Sequence, residues 1–204
     1  CAFLTACCDS ISKRIMETND EWITGAVLPG IAALFLAPVF WAQHPKPLSM
    51  DLLAVLAIAV PLEVLAYYLF LSALRMAPLS LTVPLLSLTP ALTIATSWFL
   101  LGEQICPSAL FGILLVTVGA YILNGDLARE NFAAPVRALV SNRGSRRMLM
   151  VAVIWSVTSA LGKKGVTIYG AIPFGMVLLL GVVIIFGIIA AMRWNAPRVR
   201  VDVS

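Results

Sequence analysis

Glu63 lies where a carboxylate is expensive. It is the twelfth of the 23 residues between Asp51 and Arg75, a run that carries no other charge. A charged side chain at the centre of a bilayer costs on the order of 3 kcal/mol, so such a group faces a cavity or a partner, or is protonated. Pro61, two residues earlier, frees backbone groups that also favour a polar space. Tyr67 follows at i+4, one helical turn on, and can offer its hydroxyl to the same space. One reading is a proton-coupling or substrate-binding carboxyl. The other is a protonated glutamic acid hydrogen-bonded between helices for packing alone.

A second polar group opens the chain. Thr5, Cys8, Asp9 and Ser12 recur at helical spacing and close with Lys13. An echo runs through Trp155, Ser156, Ser159 and Lys163. Two such faces would line a shared central cavity, and Asp9 is drawn to it because a short carboxylate snorkels poorly. Lys13 and Lys163 have an alternative, which is to snorkel to the headgroups. Further on, Thr82, Thr89, Thr93 and Thr96 share one face of a segment containing Pro78, Pro84 and Pro90. That face is either a pathway wall or a set of hydroxyls bonding carbonyls freed by the prolines. Ser80, Pro84, Ser87, Ala91 and Ala95 form a small-residue face suited to close helix packing.

Enzymatic chemistry does not assemble. There is no GxSxG, HExxH, Walker A or dinucleotide glycine loop. The four cysteines contain no CxxC and His44 is the single histidine, so no metal or cofactor is expected and the cysteines read as apolar packers.

These residues need elements to hold them, and composition says which kind. The chain has 204 residues, 61% hydrophobic and 12% charged, with a mean hydropathy of +0.98. A soluble domain carries about 25% charge, so the expected class is all-α and polytopic in a membrane. The net charge of +4 comes from basic residues between apolar runs, which points to membrane orientation rather than nucleic acid. Seven spans follow: residues 1–16, 22–41, 51–75, 76–102, 104–125, about 148–161, and 172–192. The sixth is short, ending before Lys163 and Lys164. Connections among the third to fifth are very short, which makes those helices antiparallel neighbours. The polar stretch Asp126–Arg147 splits five helices from the two that follow. An offset of 150 places Lys13-Arg14 on Lys163-Lys164, a faint repeat. An odd number of helices per repeat inverts the second copy in the bilayer. Cys1 already lies within an apolar run and Ser204 follows closely on the last one, so a fragment is expected.

Residues 65–124 carry a recognisable pattern: Ala73-Leu74-Arg75, Pro78, Pro84, Pro90, Leu101-Gly102-Glu103, then Gly112 and Gly119. This resembles the EamA-type repeat of the drug/metabolite transporter superfamily. Asp9-Ser10-Ile11-Ser12-Lys13 is similar to the family's first-helix pattern, and Trp155-Ser156 with Lys163 to the opening of a second repeat. One local difference is Gly162, where many relatives carry an acid.

The resemblance implies a secondary transporter of ten helices in two inverted five-helix repeats, moving small organic metabolites by alternating access. Residues 1–125 would be the first repeat, 126–147 a polar linker and 148–204 the truncated second repeat. The candidate pathway residues are then Asp9, Ser12, Lys13, Glu63, Tyr67, Thr89, Thr93, Trp155, Ser159 and Lys163. Expected partners are the lipid bilayer of a bacterial inner membrane, a metabolite, protons as coupling ion, and a second copy in a homodimer. Charge counting puts the linker in the cytoplasm, whereas the family's usual arrangement puts it outside. The rival readings are a seven-helix receptor or sensor and a non-transporting assembly protein. The five-plus-two split and the repeat echo argue against the receptor.

Overall fold

The computed structural model describes residues 10–16, 20–43, 47–77, 83–102 and 142–194, with positions 111, 112, 115 and 119 between them. Asp9, Thr82, residues 126–141 of the linker and most of the fifth expected span lie outside the described residues.

Every described element is helical. Helix α1 covers residues 10–16, α2 Glu21–Ala42 and α3 Met50–Met76. A 3-10 segment, Val83–Leu88, leads into α4, Thr89–Leu101. Helix α5 is Arg143–Tyr169 and α6 is Ala171–Trp194. Among the described residues, α2, α3, α5 and the stretch Ala171–Arg193 of α6 are long and apolar enough to cross a membrane.

Local chemistry sets the ends. Asp20 caps α2 by accepting the Glu21 amide at 2.8 Å, and Ser49 caps α3 by accepting the Leu52 amide at 3.3 Å. Asp51 in the first turn of α3 and Arg75 in its last complement the helix dipole. Asn142 caps α5 through the Gly144 amide at 2.8 Å.

Two expected spans differ from the structure. The fourth is not one continuous α-helix over 76–102: α3 ends at Met76, Val83–Leu88 is 3-10, and among the described residues the next α-helix starts at Thr89. Pro84 and Pro90 lack amide protons, and Pro90 is tolerated because it occupies the first turn of α4. The sixth is not short. Helix α5 runs 27 residues, starting at Arg143 and continuing through Lys163 and Lys164 to Tyr169. Lysine is a good helix former, so its charge ends an apolar run without ending the helix. The stop is Gly170, at φ 93°, where a side chain would be strained.

The helices pack into two apolar clusters. The larger joins Met16, Phe70, Leu71, Leu74, Met148, Val151, Val182 and Phe186. The smaller joins Leu52, Val55, Leu56 and Phe174 near the opposite ends of the same helices. Close approaches hold them in register: Gly144 fits against Ala77, where an added Cβ would come within 2.6 Å. Outward faces stay apolar, with Phe35 81% and Leu34 74% exposed, as expected where lipid replaces water.

Charges gather at the end with the larger cluster. Arg75 on α3 bridges Glu21 on α2 at 3.1 Å. Arg147 donates to the Ser72 hydroxyl, and Arg193 lies 5.4 Å from the centre of the Trp22 ring. Burial, then the hydrogen bond and charge of Glu21, hold the Asp20 carboxyl above its usual range, against the pull of Arg193.

Candidate functional site

Glu63 sits at mid-length of α3, between the two clusters, and half-buried. Its partner comes from α5. The Trp155 indole N–H donates to Glu63 Oε1 at 3.1 Å across 92 residues of sequence. Trp155 is held in turn by Phe70, with ring centres 5.4 Å apart. Phe70 stacks on Tyr67 at 6.3 Å, and Tyr67 meets Phe186 edge-on at 5.6 Å. A chain of rings thus runs from the larger cluster to the carboxyl.

Two cavities flank this pair. The larger, about 670 Å³, is lined by Ser12, Glu63, Tyr67, Phe70 and Trp155 and by apolar residues of α2 and α6. The smaller, about 340 Å³, is lined by Glu63, Thr89, Trp155, Thr158, Ser159 and Leu178. Glu63, Trp155 and Leu178 belong to both, so they form the wall between them. One side of that wall is apolar and aromatic, the other rich in hydroxyls.

The structure brings together seven of the sequence candidates. Ser12, Glu63, Tyr67 and Trp155 line the larger cavity, and Thr89 and Ser159 line the smaller. Thr93 stands behind Thr89, donating to its carbonyl at 2.8 Å. Thr96, on the same face, reaches the carbonyls of Thr93 at 3.1 Å and Ser156 at 3.0 Å, which ties α4 to α5. The threonine face therefore both satisfies carbonyls and supports a cavity wall.

The lysines go elsewhere. Lys13 donates to the carbonyl of Ala77 at 3.0 Å, at the C-terminus of α3. A cation is favoured there because the last carbonyls of a helix lack internal partners. Lys163 is exposed on α5. Neither lysine lines either cavity.

Phe70, Thr158 and Leu178 are among the lining residues that escaped the sequence reasoning. Phe70 was within reach, since it lies seven residues from Glu63 and three from Tyr67 on one helix. Thr158, three residues after Trp155, carried the same helical signal. Leu178 carried none, because an apolar residue in an apolar span has no distinguishing mark.

A family model for EamA-like transporters matches residues 1–125. The chain belongs to that family. The family's model therefore covers Glu63, Tyr67 and Thr89, while Trp155, Thr158 and Leu178 lie beyond the matched region. An "Uncharacterized transporter YwfM" of Bacillus subtilis (strain 168) is 30% identical over 129 residues, which is 60% of this chain. The chain spans 42% of the length of that relative. No solved structure matches the chain. Family membership and the long apolar helices together make this an integral membrane protein.

Proposed function

We propose that the chain forms the first repeat and the opening of the inverted second repeat of a secondary transporter. It carries small organic metabolites across a bacterial inner membrane by alternating access. The observation that carries this reading is the Glu63–Trp155 hydrogen bond, at mid-helix depth on the wall shared by two cavities. Transporters of inverted-repeat construction place substrate and coupling ions near the midplane, between repeats. Here α3 belongs to the first repeat, residues 1–125, and α5 opens the second after the polar linker 126–147. The full protein then has seven spans in this region, three more beyond it, and a homodimeric state open to a second copy.

Glu63 is the proton-coupling group of this proposal. Trp155 orients it, and the hydroxyls of Thr89, Thr158 and Ser159 form the polar side of the route. Asp9, adjacent to the described part of α1, is a second candidate for the same pathway. The basic residues Lys13, Arg14, Arg75, Arg143, Arg146, Arg147 and Arg193 cluster at one end of the helices, and that end faces the cytoplasm on this reading.

Glu63→Gln tests the coupling. Glutamine keeps an acceptor oxygen for the Trp155 indole but cannot exchange a proton at pH 7. Proteoliposomes loaded with a pH-sensitive dye are exposed to amino acids, sugars and amines in turn. The expected result is substrate-dependent proton movement for wild type and none for the variant, with similar unfolding midpoints. Transport that persists with unchanged pH dependence refutes the coupling role.

A further inference from the structure

The larger cavity has a chemical bias that narrows its ligand. Among the described residues that line it, Glu63 is the one carboxylate, and no lysine or arginine is present. The nearest basic group of α1, Lys13, is spent on the Ala77 carbonyl. The remaining wall is apolar, from Leu28, Pro29, Leu179 and Val182, and aromatic, from Tyr67, Phe70 and Trp155. A volume of about 670 Å³ falls within the usual range for small-molecule sites, roughly 300–1,000 Å³.

Each ligand class meets this wall differently. An anion would face a carboxylate and find no cation among the described lining residues. A sugar would strand hydroxyls against hydrocarbon, each lost hydrogen bond to water uncompensated. A cation gains Glu63 as a counter-charge. The Trp155 indole presents its N–H edge to Glu63 Oε1 at 3.1 Å, so a cation on the carboxyl gains from Glu63 rather than from that ring's face. Phe70, with its ring centre 5.4 Å from that of Trp155, continues the aromatic surface. These rings offer an apolar surface on which the hydrocarbon or aromatic body of a ligand can pack. Among the described lining residues one carboxylate matches one positive charge, and the apolar wall matches an apolar body.

We propose that the larger cavity binds amphipathic monocations: an ammonium group on Glu63 and a hydrocarbon or aromatic body against Tyr67, Phe70 and Trp155. This rests on the transporter reading above, of which it names the substrate class.

Binding and transport are measured separately. The full-length protein in lipid nanodiscs is titrated calorimetrically with phenethylammonium, phenethyl alcohol and hydrocinnamate, which share one body and differ in charge. Phenethylammonium is expected to bind at least about tenfold tighter than the alcohol, with hydrocinnamate weakest. Glu63→Gln should erase that preference and Glu63→Asp should retain it, the second variant separating lost charge from lost folding. Equal binding of the three compounds by wild type, or a preference that survives Glu63→Gln, overturns the proposal. Preferential binding with no flux of any metabolite in proteoliposomes removes the transporter reading and leaves the site standing. Flux of neutral or anionic metabolites with no ammonium preference does the reverse.

Discussion

Gly25 on α2 offers a direct measurement of how tightly the helices are set against the cavity. A Cβ at this position would collide with the Phe186 ring of α6. Phe186 is fully buried, and its ring is hemmed by Trp22 at 5.1 Å and Tyr67 at 5.6 Å. It cannot swing away without moving Tyr67, which lines the larger cavity. Gly25→Ala therefore sets two effects in opposition. Helix propensity favours alanine by roughly 0.5–1 kcal/mol. Forcing an extra carbon into a packed core costs about 1–3 kcal/mol. The steric term wins because the obstacle is a wedged ring, and the net expectation is a loss of about 1–2 kcal/mol. Gly30→Ala on the same helix is the control, since its Cβ would meet Val183 Cγ1 at 3.9 Å, an ordinary contact. It should stabilise by about 0.5 kcal/mol or leave stability unchanged. The decisive assay is a double-mutant cycle, read by unfolding in mixed micelles with a denaturing detergent. Phe186→Leu alone should cost about 1–2 kcal/mol by leaving space. Combined with Gly25→Ala the new methyl enters that space, so the double variant should be more stable than the summed losses by about 1–2 kcal/mol. Strict additivity, or Gly25→Ala as benign as Gly30→Ala, refutes the claim that Phe186 fixes the spacing of α2 and α6.

Three further outcomes concern the basic residues at the helix ends. Lys13→Met keeps the apolar stem but removes the ammonium from the Ala77 carbonyl; a loss of about 1–2 kcal/mol is expected in the same unfolding assay. Lys163→Met, at an exposed site, should change stability by less than about 0.5 kcal/mol. A single cysteine replacing Arg143, in a chain cleared of its four native cysteines, should resist an impermeant thiol reagent in intact cells and react after permeabilisation. Labelling in intact cells would place that end outside the cytoplasm.

Much of the architecture was legible before any packing was considered. The expected second, third and seventh spans agree with α2, α3 and α6 to within a few residues, because an uninterrupted apolar run in lipid must satisfy its backbone internally. The family was legible too, from motifs spread over 60 residues, and a family model matching residues 1–125 agrees. The failures share one cause. Counting charges located apolar stretches but not helices, so α5 came out too short at Lys163 and the proline-rich fourth span too continuous. Better stops were present at Gly170, followed by Pro173, and at Pro84 and Pro90.

Sequence alone therefore determined that this chain lives in a membrane, and that Glu63 lies midway along one of its apolar runs. A buried charge is costly wherever the chain folds, so its position along an apolar run already carries that meaning. What the carboxyl faces was decided only by tertiary structure. Trp155 is 92 residues away and approaches because Phe70, Tyr67 and Phe186 fill the space that leads to it. The same is true of Lys13, whose charge reads identically in a cavity and at a helix end until the Ala77 carbonyl is seen 3.0 Å away. Residue type and local spacing set what a group costs and which chemistry it can offer; long-range packing sets which partner it meets.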